Sequence, residues 1–198
     1  MRRVPSDAPT VDWAVIRKIF ENPRLRILFL ASGVHWASTM PFHGFFPLHV
    51  ADLSLSPSVA GLGFSFAGLC EILMLAQSSR VLRRFSASQL FVFSTAISAL
   101  RWLLTGLITD PTLLVGVQAL HAFTFAAFYV AALQILVEEI PDRLRATGQG
   151  LFFSLAFGVG GGVGVLATGF VYGAFDGTAI FLFGAGLSCV ATVIASRL

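Results

Sequence analysis

Three side chains able to hold or pass a proton lie deep within long apolar runs. Glu71 sits in "GLGFSFAGLCEILMLAQ", Arg101 in "QLFVFSTAISALRWLLTGLI" and His121 in "LLVGVQALHAFTFAAFYV". A charge at bilayer depth is expensive, so it faces the interior of a helix bundle and takes a partner. A carboxylate and a guanidinium neutralise each other, and an imidazole exchanges its proton near physiological pH. Counting helical rise from the span ends places Glu71 about 9 Å and Arg101 about 18 Å from one membrane face. It places His121 about 12 Å below the other face, level with Arg101. Side chains lean toward their helix N-terminus, which tilts Glu71 and Arg101 toward each other on antiparallel neighbours. A direct bridge or a shared water is therefore expected. Two readings stay open: an ion pair that fixes helix rotation, or a polar cavity near the midplane that binds a solute or carries a proton. Gln118, three residues before His121, shares its face. His35 and His43 lie on similar faces of one helix with Pro41 between them, where a kink is expected. These three are candidate cavity-lining residues.

The elements that must position this set are membrane helices. Of 198 residues, 56% are hydrophobic and 12% charged, with 20 Phe and 19 Gly. Soluble domains carry about twice that share of charge. The pattern predicts an all-α membrane protein of six spans, at residues 25–50, 58–77, 89–108, 113–137, 148–172 and 179–196. Each is about 18–26 residues, enough to cross a hydrocarbon core of about 30 Å. Short polar connections separate them.

The charges sort by side. Arg2, Arg3, Arg17, Lys18, Arg24 and Arg26 precede the first span. Arg80, Arg83 and Arg84 follow the second, Arg143 and Arg145 the fourth, and Arg197 closes the chain. The opposite connections hold Asp52, Asp110 and Asp176 with no Lys or Arg. The excess of basic residues puts both termini in the cytoplasm. Residues 1–24 read as a cytoplasmic linker and 25–198 as the six-helix bundle. Within the linker, "TVDWAVIRKIFEN" predicts a short amphipathic helix on the membrane surface. Trp13, Ile16 and Phe20 would share one face, and Thr10 would cap it.

Several motifs carry no chemistry. "GVGVLA" (162–167) fits a loose dinucleotide pattern but lies inside a span with no strand before it. The surrounding "FGVGGGVGVLATG" offers small-residue pairs, Gly158 with Gly162 and Gly160 with Gly164, for close helix approach. "GFSF" around Ser65 has its serine and the available His121 on the wrong spans for an intramembrane protease. Cys70 and Cys189 give neither a metal spacing nor a disulfide framework and are expected as small buried hydrophobes. No metal, cofactor or nucleic-acid partner is expected, and no enzyme.

The order and spacing of "NPRLRILFLASG", "FFPLHVADLSLSPSVAGLGFSFAGLCEI", "VLRRFSASQL", "LRWLLTG", "LHAFTF", "IPDRLRATGQGL" and the Gly-rich "GLFFSLAFGVGGGVGVLATGFVYGAFDG" resemble the C-terminal six-helix half of a major facilitator superfamily (MFS) transporter. The resemblance is to the phenylpropionate-permease-like group, related to lactose permease. It implies two six-helix bundles with the substrate site between them, the N-terminal half lying outside this chain or replaced by a second copy. It also implies that Glu71, Arg101 and His121 match a proton-coupling and substrate-binding network on the second, third and fourth helices. Where that permease has a glutamate one turn after its histidine, this chain has Thr124. Expected partners are a small organic solute (an aromatic carboxylate, a sugar or a nucleoside), a proton and membrane lipid. The expected function is secondary transport by proton symport. The alternative is a non-transporting six-span protein whose Glu–Arg pair is structural.

Overall fold

The computed structural model describes residues 13–198, which form helices joined by short turns, with no strand among them. A short helix α1 (Trp13–Glu21) precedes six long segments. The first runs over residues 23–52 as α2 (Pro23–Met40), a π turn (Pro41–Phe45) and α3 (Phe46–Asp52). The second and third are α4 (Pro57–Leu82) and α5 (Ala87–Leu107). The fourth, Pro111–Glu139, comprises α6 (Pro111–Val117), a 3₁₀ turn (Gln118–Leu120), a π turn (Ala122–Ala127) and α7 (Phe128–Glu139). The fifth, Asp142–Ala174, enters through α8 (Arg145–Phe152), passes a π turn (Phe153–Gly160) and continues as α9 (Gly161–Ala174). The sixth is α10 (Gly177–Ala195).

Five of these segments, the second to the sixth, are long and apolar enough to cross a membrane. The first is not among them. It is continuous in helix from Pro23 to Asp52.

The helix starts are written in the sequence. Asn22 caps the first span, its Oδ1 accepting from Arg24 N at 2.9 Å. Ser86 and Gln89 form a reciprocal capping box on the third. Asp110 and Asp176 cap the fourth and sixth. Proline stands in the first turn at Pro23, Pro57 and Pro111, where its missing N–H has no intrahelical partner to lose.

Packing joins the sixth span to the third and first, the first to the fifth, and the second to the fourth. Two apolar clusters form. One gathers Leu28, Phe91, Phe128, Ile135 and Phe152 toward the arginine-rich end. The other gathers Phe42, Phe46, Trp102, Leu114 and Phe181 toward the aspartate end. Between them lies a buried polar layer of His35, Arg101, Gln118, His121 and Thr124.

The glycine row divides by side. A Cβ on Gly160 would stand 2.5 Å from Gly33 O, and one on Gly164 would stand 2.6 Å from Ala37 Cα. These two glycines let the fifth span touch the backbone of the first. Gly162 meets open space, so the pair Gly158 and Gly162 does not pack within the bundle.

The expectations for α1 and for the cysteines meet different outcomes. In α1 the residue that buries is Ile19, while Trp13 is 75% exposed. Phe20 does pack, with its ring 5.6 Å from that of Phe29. The proposed cap Thr10 lies outside the described residues. Neither cysteine is buried: Cys70 is half-buried and Cys189 exposed.

Candidate functional site

Arg101 projects from α5 into the polar layer, where it is 1% exposed. All its acceptors come from the fourth span. Nε and Nη2 donate to Gln118 Oε1 at 3.2 and 2.8 Å. Nη1 donates to Thr124 Oγ1 at 2.7 Å and to His121 Nδ1 at 2.9 Å. Phe42 and Trp102 cover the guanidinium, with ring centroids 4.4 and 4.3 Å from Cζ. Each charge-assisted bond contributes about 1.5–3 kcal/mol, and the rings add cation–π attraction. Among the described residues the arginine is thus held by neutral groups, with no carboxylate in contact.

Local backbone form aims these acceptors. In a straight α-helix a residue three positions on lags by about 60°. The 3₁₀ turn from Gln118 to Leu120 removes that lag, because side chains at i and i+3 eclipse at three residues per turn. Gln118 and His121 therefore face the same guanidinium. The π turn that follows sends Phe128 N–H to Phe123 O, five residues back, rather than to Thr124 O. His35 Nε2 donates to that Thr124 carbonyl at 2.9 Å. Gln118 is fixed in turn, its Nε2 donating to Leu114 O at 3.0 Å and Thr105 Oγ1 at 3.3 Å.

His121 stands between the two charges. Its Nδ1 accepts from Arg101, so its proton resides on Nε2. That nitrogen lies 3.2 Å from Glu71 Oε2. The expected direct bridge from Glu71 to Arg101 is replaced by a relay through the imidazole. The physical reason is that Arg101 turns toward the fourth span, while Glu71, on the second, reaches only the outer edge of His121. Glu71 remains 26% exposed at its side chain. Its second carboxylate oxygen makes no hydrogen bond among the described residues.

The three lesser candidates separate. Gln118 belongs to the arginine's shell. His43 is exposed, its ring centroid 6.1 Å from that of His121, and its Nδ1 donates to Thr39 O at 3.1 Å. His35 lines no cavity: it is fully buried and stacked 4.1 Å from Phe128. Aromatic rings continue outward from His121, with Phe125 at 5.3 Å and Tyr129 a further 6.3 Å along, both stacked. Thr124 was noticed in the sequence as a departure, not as an arginine ligand. The three-residue spacing of Gln118, His121 and Thr124 is the signal that could have found it. Among the described residues no cluster of His, Cys, Asp or Glu could hold a metal ion.

An all-helical bundle with five segments long and apolar enough to cross a membrane defines a membrane protein. Residues 4–183 match the MFS_1 like family, and the chain belongs to that family. It is an integral membrane protein. It is 27% identical over 149 residues to the probable 3-phenylpropionic acid transporter of Escherichia coli, covering 75% of this chain and 38% of that one. It is 24% identical to the maltose permease of Geobacillus stearothermophilus, covering 91% and 46%. It is 25% identical to the xanthosine permease of Escherichia coli, covering 89% and 46%. The chain thus spans less than half the length of these relatives. The fold matches the crystal structure of the nucleoside transporter NupG (D323A mutant) with a TM-score of 0.79 at 21% identity. That match covers 98% of this chain and 54% of the other.

Proposed function

We propose that the chain supplies one six-helix wall of a secondary transporter that moves a small organic solute, driven by protons, across a bacterial inner membrane. The observation that carries this reading is the relay in which His121 touches Glu71 at 3.2 Å and Arg101 at 2.9 Å. A carboxylate at the open edge of a buried cation takes up and releases a proton at modest energetic expense, and the imidazole reports that change to Arg101. Relatives named for phenylpropionate, maltose and xanthosine support solute transport rather than catalysis.

The second and fifth spans support a missing second wall. Only 28% of each apolar window is buried, against 56% in the fourth span. We assign their outer faces to a complementary six-helix half. By the charge partition, both termini are cytoplasmic and α1 lies on that membrane surface, where Arg17 and Lys18 are exposed. Residues 1–24 form the linker and 25–198 the bundle.

The test is uptake by cells producing the complete permease. An imposed inward proton gradient is expected to drive accumulation. Glu71→Gln is expected to abolish accumulation while leaving exchange of solute across the membrane. Gradient-driven uptake that survives this substitution unchanged would sink the proton role of Glu71.

A further inference from the structure

Arg101 is the natural receptor for an anionic substrate, yet the structure withdraws it. The guanidinium is 1% exposed, covered by Phe42 and Trp102 and donating to Gln118, His121 and Thr124. Two groups beside the relay remain open as acceptors. Glu71 has a free carboxylate oxygen and 26% side-chain exposure. His43 is exposed, and with Nδ1 donating to Thr39 O its neutral ring leaves Nε2 as an acceptor. Around them stand flat apolar faces. Phe64 is 37% exposed and lies 4.9 Å from Phe42, while Phe125 and Tyr129 continue the stack from His121. A substrate carboxylate would approach Glu71, a like charge, and find Arg101 covered. A hydroxyl or N–H group would find acceptors, and a flat ring would find stacking partners.

On the transport reading above, we infer that this site takes an uncharged solute with a flat ring and several hydroxyl or N–H donors, a nucleoside, and not an organic acid. Glu71 and His43 accept from the donors, and Phe64 and Phe125 hold the ring.

The complete permease, this chain together with its complementary six-helix half, is titrated in lipid nanodiscs with xanthosine, maltose and 3-phenylpropionate, read by quenching of tryptophan fluorescence and by calorimetry. Xanthosine is expected to bind at least tenfold more tightly than 3-phenylpropionate, with maltose between them. Glu71→Gln is expected to weaken xanthosine several-fold and to strengthen 3-phenylpropionate, opposite signs that a merely structural role would not produce. Phe125→Leu, which removes none of the relay's hydrogen-bonding groups, is expected to weaken xanthosine several-fold and maltose little. Tighter binding of 3-phenylpropionate to the unaltered chain overturns the inference and leaves the transport reading standing. Tighter binding of maltose than of xanthosine overturns the assignment of the ring faces. If none of the three solutes binds, both readings fall.

Discussion

Gln118→Leu tests the neutral shell of Arg101. The substitution keeps side-chain volume and deletes the oxygen that accepts from Nε at 3.2 Å and Nη2 at 2.8 Å. Hydrogen bonds to a charged group contribute about 1.5–3 kcal/mol each, so two amount to about 3–6 kcal/mol. The leucine returns about 1.5–3 kcal/mol through apolar burial. A net loss of about 1.5–3 kcal/mol follows, well above the average of about 0.6 kcal/mol for a hydrogen bond between membrane helices. The excess reflects the charge, which is left with two donors pointing at hydrocarbon. Reversible unfolding in mixed detergent micelles, followed by tryptophan fluorescence, reads it directly because Trp102 packs on the guanidinium. The double variant Arg101→Met with Gln118→Leu removes donors and acceptor together and is expected to recover at least about 1.5 kcal/mol of the summed single losses. A loss below about 1 kcal/mol for Gln118→Leu, with no coupling in the cycle, would mean that water reaches Arg101 and that the dry shell described above is wrong.

Two further outcomes are expected. Gly164→Leu drives a side chain into Ala37 Cα and O and into Met40, so at least about 3 kcal/mol of stability or the folded protein itself is lost, whereas Gly162→Leu changes the same thermal unfolding by less than about 0.5 kcal/mol. Asp52→Ala removes the acceptor of Tyr172 O–H at 3.1 Å and of Gly177 N–H at 2.9 Å. About 1–2 kcal/mol should be lost in that assay, and Asp52→Asn, which keeps one acceptor oxygen, should lose less.

Much of the fold was legible because it rests on long-range regularities. Apolar length, helix-capping residues and the sorting of arginines from aspartates all survive errors of a few residues. The convergence of Glu71, Arg101 and His121 was legible for the same reason, since three costly groups in a thin slab must meet. What the sequence hid depends on helical phase. Assuming ideal α-geometry gave Arg101 to Glu71, whereas a 3₁₀ turn ahead of His121 and a π turn after it rotate the fourth span until its polar residues face the arginine. The same dependence on phase hid which glycine pair packs and which residue anchors α1. His35 looked like a lining residue because its partner is a backbone carbonyl, and no side-chain pattern announces that.

The arginine's shell also bears on how the chain enters the membrane. Every acceptor of Arg101 lies 17 to 23 residues downstream, across the three-residue turn 108–110. An arginine at the centre of a lone helix opposes insertion by about 2.5–3.5 kcal/mol. The third span therefore gains from waiting at the insertion machinery until the fourth has been synthesised, so that the two partition into lipid as a hairpin with the guanidinium already sheathed. Glu71, already inserted on the second span, then receives His121 as that hairpin docks.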